Sequence, residues 1–464
     1  MRYYLAVDIG ASAGRHILAH IEGGKIIAEE IYRFSNTPEA LPGTPGALGC
    51  QGGKRLMWNA KRLFREILNG LKKAGELGKA PYSVGVDTWG VDYVLLDEKD
   101  EPIGGVYCYR DGRTKSAVAS VHRRVPFAEL YAKTGIQFQA FNTVYQLYDD
   151  KRTGRSAKAR SFLMLPDYFH FLLTGVKKQE YTNATTTGMV NALTHTWDEE
   201  IIEKLDYKKE WFGELAQPGT EAGEFTEEVA SIVGYRAKVI LPPRRAAGAV
   251  CRALEGQTPY ISSGAWSLLG IERNRAYTTD KARELNYSNE GSVGGRFRLQ
   301  KNIMGLWMIR QVRRELGDKY DFATLTSLAK ISRVGETVDV NDARFLSPVS
   351  MIDAINASVG KQLSAGGMAY CIFNSLAKSY AESLEGLEKL TGESYSTLNI
   401  IGTGSKNELL NELTAKYTGK KIVTGPTEGT AIGNFLMQMV GAGELPSVGE
   451  GRKMIEKSFD IVEL

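Results

Sequence analysis

The stretch AVDIGASAGR at residues 6–15 lies between two apolar runs and decides how the start of the chain folds. The run Tyr3 to Val7 has the composition of a buried strand, and His16 to Ile21 is typical of a second strand. The glycines between them let the backbone turn sharply and present several N–H groups. Such a turn suits phosphate oxygens, and Asp8 beside it suits Mg²⁺ held through water. An ordinary hairpin with an Asx turn is the alternative.

Length and charge narrow the class of protein. The 464 residues predict two or more domains with ample core. Lys+Arg 58 against Asp+Glu 54 leaves a net charge of +4 without a basic block, so we expect no nucleic-acid partner. No apolar run has membrane-spanning length and no signal peptide is expected. The four cysteines are widely spaced, which favours free thiols in a reducing cytoplasm.

The order of elements in the first hundred residues indicates a fold class. Lys25 to Phe34 predicts a third strand, and Trp58 to Ala74 has the apolar periodicity of a helix. Tyr82 to Asp97 then predicts a strand, a polar elbow with the sequence DTWGVD, and another strand. The order β-β-β-α-β is that of half a ribonuclease-H-like α/β domain.

The second half of the chain repeats this pattern of predicted strands and glycine turns. Pro259 to Ile271 predicts strand, glycine turn with hydroxyls, and strand. Leu398 to Ile401 predicts a buried strand that enters the loop Gly402–Asn407, followed by a helix through Tyr417. A glycine loop before a helix suits a nucleotide phosphate or ribose. A simple helix start with Ser405 as N-cap explains the same residues.

Two polar or small-residue segments lie between these halves. Glu180 to Thr187 (EYTNATTT) is predicted to be a loop, because it is too rich in threonine for a helix. It suits sugar hydroxyls and ordinary turns equally well. The small residues Ala246 to Ala249 predict the tightly packed first turns of a helix.

Taken together, the chain resembles the FGGY carbohydrate kinases, and within them the branch that acts on L-rhamnulose. The resemblance runs from near the first residue to near the last. It is carried by AVDIGASAGR (6–15), VGVDTWGVDYVLLD (84–97), GIQFQAFNTVYQL (135–147), LMLPDYFHFLLTG (163–175), EYTNATTTGMVN (180–191), SSGAWSLLG (262–270), NEG (289–291), KNIMGLW (301–307) and GPTEGTAIGN (425–434).

The resemblance implies an α/β fold class with two actin-like ATPase (ribonuclease-H-like) domains flanking a cleft. The domains would be an N-terminal sugar-binding domain at 1–241 and a C-terminal nucleotide-binding domain at 242–464. ATP and Mg²⁺ are the implied cofactors, and the implied reaction is phosphorylation of L-rhamnulose or a similar ketose on its C1 hydroxyl. The implied partners are therefore a ketose and a nucleotide, with a homodimer as the expected assembly.

The resemblance also assigns site residues. Asp8 is implied to bind the Mg²⁺ and is also one of the ATP-binding positions. These positions are Asp8, Gly10, Ala11, Ser12, Ala13, Gly14, Arg15, Gly264, Ala265, Asn302, Gly402, Thr403 and Gly404. The substrate-binding positions are Thr88, Trp89, Gly90, Asp92, Arg244 and Ala246.

The sequence departs from the family pattern where the family carries His-Asp-Thr after a strand. The family's Asp takes the proton from the attacking hydroxyl, and Arg245 stands at that catalytic position here. A guanidinium has no acceptor lone pair and cannot act as a base. Ala265 replaces a threonine, and Thr403 replaces the middle glycine of a Gly-Gly-Gly loop.

Three explanations follow from this departure. The chain is a kinase-shaped binder of sugar or nucleotide that lost catalysis, with a regulatory or sensor role. Alternatively it acts on another substrate, with Arg244 and Arg245 holding an anionic group. A third possibility is that a different carboxylate, such as Asp92, serves as base. A structural protein of the actin superfamily is disfavoured, because a filament has no need of the DTWGVD and TNATTT loops.

Overall fold

The structure is a computed structural model, and it describes residues 1–42, 54–244 and 258–464. The chain forms two compact units. The first comprises Met1–Val250, Arg273–Leu299 and Thr430–Ser458, and the second comprises Cys251–Glu272, Gln300–Gly429 and Phe459–Leu464. Ala246–Ala249, predicted to begin a helix, lies outside the described residues. The predicted domain boundary at residue 241 stays a prediction.

A six-stranded mixed sheet forms the centre of the first unit. The strand Tyr4–Ile9 pairs antiparallel with Ala13–Glu22 and parallel with Ser83–Asp87. The side chains of Tyr4, Leu5, Ala6 and Val7 are fully buried, as the apolar run predicts. Across the sheet the strand order is Glu221–Glu224, Lys238–Ile240, Ser83–Asp87, Tyr4–Ile9, Ala13–Glu22 and Lys25–Ser35.

Smaller strands complete the first unit. Most of them pair with one another in sheets of two or three strands. The strand Ser288–Gly291 belongs to the segment Arg273–Leu299 of this unit. Their bounds are Glu39–Pro42, Lys54–Trp58, Tyr93–Leu96, Val106–Tyr107, Ser161–Met164, Gln179–Glu180, Leu215–Ala216 and Ser288–Gly291.

The helices of the first unit include the predicted one after the third strand. It spans Ala60–Glu76, is capped by the Asn59 side chain, and buries Leu63, Ile67 and Leu71. In the described part of this unit the other α-helices are Lys115–Arg124, Phe127–Thr134, Thr143–Arg152, Leu165–Thr174, Tyr181–Ala184, Glu199–Lys204, Glu227–Val233, Asp280–Glu284, Gly429–Gly441 and Val448–Ser458.

The prediction of a loop from Glu180 to Thr187 is wrong. Tyr181–Ala184 is an α-helix that continues as a 3₁₀ turn over Thr185–Thr187. The Glu180 carboxylate caps it by accepting from the Thr182 and Asn183 N–H groups. The hydroxyls of the three threonines donate to carbonyls three residues earlier, at 2.7–2.8 Å. These hydroxyl hydrogen bonds stabilise the helical turn. The low helix propensity of threonine had instead led to the prediction of a loop.

The second unit has the same arrangement around its own sheet. Tyr260–Ser263 pairs antiparallel with Trp266–Arg273 and parallel with Thr397–Ile401. In this sheet the order of neighbouring strands is Phe297–Met304, Trp266–Arg273, Tyr260–Ser263, Thr397–Ile401, Lys421–Thr424 and Val462–Glu463. This order repeats that of the first sheet, so the predicted fold class of two ribonuclease-H-like α/β domains is confirmed.

The helices of the second unit include a long one. It spans Ala365–Thr391, is capped by Ser364, and ends at Gly392. The apolar side chains along one side of it, from Ile372 to Leu387, are buried. Among the residues of this unit from 258 onward, the other α-helices are Trp307–Glu315, Phe322–Ser332, Met351–Val359 and Glu408–Thr418.

Candidate functional site

The opening turn of the first unit is a tight hairpin. The Gly10 N–H donates to the Ala13 carbonyl at 2.8 Å, and Asn36 Nδ2 donates to the Gly10 carbonyl at 2.8 Å. Arg15 Nη2 lies 3.0 Å from Asp8 Oδ2, and both side chains are largely buried. Hydrogen bonds from Gly10 and Asn36 thus fix the backbone of the turn. The Asp8 carboxylate is paired with the Arg15 guanidinium.

Gly14 has a packing role in this turn. A Cβ at Gly14 would lie 2.1 Å from the Phe34 ring, so the ring occupies the space of a side chain. The two residues face each other across adjacent strands. Ala11 and Ser12 form the tip, and the Ser12 carbonyl accepts from the Asn36 N–H at 3.1 Å. The phosphate role of residues 11–15 stays a prediction.

The DTWGVD elbow is organised around a buried carboxylate. Asp92 Oδ2 accepts from Trp58 Nε1 at 2.7 Å, Trp89 Nε1 at 2.8 Å and the Tyr109 N–H at 3.1 Å. Asp92 Oδ1 accepts from Gln146 Nε2 at 3.1 Å. The two indole rings lie 4.1 Å apart at 40°. Because these donors surround it, Asp92 holds the indole pair in place. Direct contact of Asp92 with sugar stays a prediction.

Burial raises the pKa of Asp92 to about 6, against the lowering effect of its four donors. The folded protein therefore binds this proton more tightly than the unfolded chain does, and Asp92 loses stabilising effect as pH rises from about 4 to 6. The measured quantity is the difference in free energy of unfolding between the unaltered protein and Asp92→Asn. We expect this difference to fall by about 3 kcal/mol between pH 4 and pH 6. Urea unfolding at several pH values measures it. A difference that grows with pH would contradict the assignment.

The predicted substrate residues Gly90 and Arg244 are brought together in the first unit. A Cβ at Gly90 would lie 2.4 Å from Arg244 Nε and 2.9 Å from Thr186 Oγ1. The Arg244 N–H donates to Thr182 Oγ1 at 2.8 Å. Only glycine at the elbow leaves room for the guanidinium. Thr88, also predicted, is buried and donates its hydroxyl to the Trp89 carbonyl at 2.8 Å.

A buried carboxylate neutralises this guanidinium. Glu290 Oε2 accepts from Arg244 Nη1 and, at 3.4 Å, from Arg298 Nη2. Arg298 Nη1 also donates to the Arg244 carbonyl at 2.9 Å. Each of the three side chains is less than a tenth exposed. Glu290 lies in the NEG stretch, which the sequence singled out without giving it a role, and Arg298 had no recognisable signal.

Arg245 and Ala246 lie outside the described residues. The predicted catalytic position and one predicted substrate position therefore rest on the sequence.

The glycine turns of the second unit are closed by backbone hydrogen bonds. The Leu306 N–H donates to the Gly264 carbonyl at 2.9 Å. The Gly305 and Trp307 N–H groups both donate to the Ala265 carbonyl at 3.2 Å. The turn at residues 264–265 thus lies against the start of the helix Trp307–Glu315.

The loop after the strand Thr397–Ile401 is a 3₁₀ turn followed by a helix. Gly402 accepts from both the backbone N–H and the hydroxyl of Ser405, at 3.0 and 2.7 Å. The N-cap of the helix Glu408–Thr418 is Asn407, whose Oδ1 accepts from the Leu410 N–H at 3.0 Å. Ser405 as N-cap was therefore wrong, because its hydroxyl is used one turn earlier.

A cavity of about 570 Å³ opens beside this loop in the second unit. Thr403 and Gly404 line it, whereas Gly264, Ala265, Asn302 and Gly402 do not. Its lining combines apolar and aromatic side chains with cationic and hydroxyl ones. The lining residues include Leu306, Ile309, Arg310, Phe322, Thr326, Ser327, Lys330, Phe373, Lys406 and Asn407.

This lining fits a nucleotide. The volume lies within the ~300–1,000 Å³ usual for ligand sites, and an apolar lining with a few polar groups is the usual composition. Thr403 and Gly404 begin a 3₁₀ turn, whose first N–H groups have no partner within the turn. Lysine and arginine in the lining suit phosphate oxygens.

The donor set for a metal is small. Within residues 1–42, 54–244 and 258–464, no three His, Cys, Asp or Glu side chains are close enough to hold a metal ion. Mg²⁺ is commonly held by one or two carboxylates together with substrate phosphates and water. The single carboxylate of Asp8 is compatible with that mode, and its metal role stays a prediction.

Among the helices in the described part of the chain, none combines the length and the apolar character needed to cross a bilayer.

Comparison with known proteins places these features in a family. Residues 3–243 match the model of the FGGY family of carbohydrate kinases, N-terminal domain, and residues 259–442 match the C-terminal domain. The chain is 44% identical to a rhamnulokinase of Halalkalibacterium halodurans, with 99% of this chain and 98% of that protein covered. It is 42% identical to a rhamnulokinase of Oceanobacillus iheyensis, with 98% and 97% covered.

Solved structures agree on the fold. A ligand-bound xylulose kinase from Lactobacillus acidophilus matches with a TM-score of 0.78 at 17% identity, covering 100% of this chain and 93% of that one. A gluconate kinase from the same organism matches with a TM-score of 0.79 at 18% identity, covering 99% and 92%. With both family models matched and rhamnulokinase relatives aligned over nearly the whole length, the chain belongs to the FGGY family of carbohydrate kinases.

Proposed function

We propose that this chain is an ATP- and Mg²⁺-dependent ketose kinase that phosphorylates the C1 hydroxyl of L-rhamnulose or a similar ketose. The observation that carries the proposal is the 44% identity to a rhamnulokinase over 99% of the chain. The DTWGVD elbow also supports the proposal. Its Trp89 packs on Trp58, and its Gly90 lies next to Arg244.

In this proposal the sugar binds at the elbow of the first unit. The Trp58–Trp89 pair is buried and held by Asp92, and it would form the rigid wall behind the sugar. Gly90 would leave the room beside the elbow that the Arg244 guanidinium needs to lie next to the sugar. The Arg244 guanidinium, kept in place by Glu290, would donate to sugar oxygens.

The nucleotide would bind in the cavity of the second unit. The base would lie near Phe322 and Phe373, and the phosphates would meet the Thr403–Gly404 N–H groups. Residues Asp8 to Arg15 are the proposed second phosphate contact, with Asp8 as the metal carboxylate. When bound, Mg²⁺-ATP would supply the γ-phosphoryl group that the C1 hydroxyl receives, with release of ADP.

Arg245 changes what the chain itself contributes to this transfer. Because Arg245 cannot take the hydroxyl proton, the proton would pass to solvent. A guanidinium can instead stabilise charge on a transferring phosphoryl group, and catalysis of such transfers relies mainly on positioning and charge stabilisation. We therefore expect a slow kinase rather than a silent protein.

The second candidate function is a sugar- or nucleotide-binding protein without turnover. Arg245, Ala265 and Thr403 favour it, because all three depart from the family pattern at predicted site positions. Calorimetric titration with L-rhamnulose and with ATP, beside an assay of ADP release with Mg²⁺-ATP, separates the two. Ketose binding with ketose-dependent ADP release supports the kinase. Binding without ADP release supports the silent protein, and the absence of any binding rejects both.

A further inference from the structure

Asn183 is a buried amide without a hydrogen-bonding role. Its side chain is 1% exposed, and neither Oδ1 nor Nδ2 has a partner within the part of the chain that the structure describes. A buried amide that has no protein partner needs one from a bound water or from a ligand. Most buried polar atoms in native proteins are paired, so an unpaired one calls for an explanation in binding or catalysis.

The position of Asn183 connects it to the elbow site. Asn183 and Thr186 are three residues apart in a helical turn and so share a face. Thr186 Oγ1 is one of the atoms that a Cβ at Gly90 would meet, at 2.9 Å. The residue before, Thr182, accepts from the Arg244 N–H. The same turn therefore contacts both predicted substrate residues, Gly90 and Arg244.

The backbone of Asn183 is fixed on both sides. Its N–H donates to Glu180 Oε2 at 2.8 Å, and its carbonyl accepts from Thr186 Oγ1 at 2.8 Å. The side chain is thus presented from a rigid turn, and only its amide remains uncommitted. A functional group on a held backbone is the arrangement expected of a binding residue.

We propose that Asn183 is a sugar-binding residue whose amide reads hydroxyl groups of the substrate. The inference rests on the proposed function, because it places the sugar at the elbow. A side-chain amide offers donors at Nδ2 and an acceptor at Oδ1, and neighbouring hydroxyls of a sugar can satisfy both at once. The ligand class is therefore a polyhydroxylated sugar with two adjacent hydroxyls, and Asn183 sets the preference between ketoses that differ in one hydroxyl.

The test compares Asn183→Leu and Asn183→Ala with Asn69→Ala, an exposed asparagine of the same unit that bonds to Glu66. Thermal unfolding without ligand and calorimetric titration with L-rhamnulose and L-fuculose are measured for each. We expect Asn183→Leu, which keeps the side-chain volume, to unfold at the same or a higher temperature than the unaltered protein, because no protein hydrogen bond is lost. Asn183→Ala should unfold at a somewhat lower temperature, because it leaves a cavity. Affinity for the preferred ketose should fall about 10- to 100-fold, and the preference between the two ketoses should shrink.

Two results would overturn this inference alone. The first is a clearly lowered unfolding temperature in Asn183→Leu but not in Asn69→Ala, which would make the amide structural. The second is ketose binding that is unchanged in both Asn183 variants. If the unaltered protein binds neither ketose, the proposed function fails and this inference fails with it.

Discussion

Replacing Arg245 by aspartate is expected to raise ketose-dependent ADP formation about 10²–10⁴-fold, the usual contribution of a general base. A carboxylate at this position can accept the C1 hydroxyl proton, whereas a guanidinium cannot. The change also removes a positive charge that would oppose Mg²⁺ near the phosphates. A coupled assay of ADP release with L-rhamnulose and Mg²⁺-ATP measures the gain.

Arg245→Asn is the matched control for this change. Asparagine has the size of aspartate and likewise removes the positive charge, but it is not a base. A gain in Arg245→Asp and not in Arg245→Asn identifies proton transfer as the missing step. Equal gains in both variants would show that charge repulsion was the obstacle. No gain in either would contradict the assignment of Arg245 to the base position.

Replacing Glu290 by glutamine is expected to lower the free energy of unfolding by about 3–5 kcal/mol, as when one partner of a buried ion pair is removed. Glu290 is 3% exposed and accepts from both Arg244 and Arg298. Without its charge, two buried guanidinium groups face each other uncompensated. Urea unfolding at constant pH and salt measures the loss.

The control is Glu450→Gln, which removes an exposed ion pair with Lys453 in the same unit. Exposed pairs contribute little, because water and salt screen them. We expect its unfolding midpoint to stay where it is. Adding Arg244→Met to Glu290→Gln should recover part of the stability, since it removes one of the two uncompensated charges. A midpoint in Glu290→Gln as high as in Glu450→Gln would refute the buried network.

The fold could be predicted from the sequence because its signals are local. The apolar run before Asp8, the stripe of the helix at Ala60–Glu76, and the glycine turn before Trp266 each specify an element from neighbouring residues. The Thr185–Thr187 turn could not be predicted in this way. Its threonines are stabilised by hydroxyl bonds to carbonyls of the preceding turn, which a propensity scale does not contain.

The candidate site was less accessible to sequence reasoning. Gly90 and Arg244 were both predicted, yet their contact depends on a chain separation of more than 150 residues, which no local pattern encodes. Asp92 was expected to contact sugar, and its four donors, contributed by distant segments, give it a holding role. Glu290 acquires its role only through the fold, because it compensates two arginines.

The central claim is that this member of the FGGY family transfers phosphate to a ketose despite Arg245. A single-turnover experiment with excess protein, γ-³²P-labelled ATP, Mg²⁺ and L-rhamnulose tests it most directly. We expect slow, ketose-dependent appearance of label in a sugar phosphate, with L-rhamnulose labelled faster than L-fuculose. Label that stays in ATP, or moves to water at the same rate with and without ketose, would contradict it.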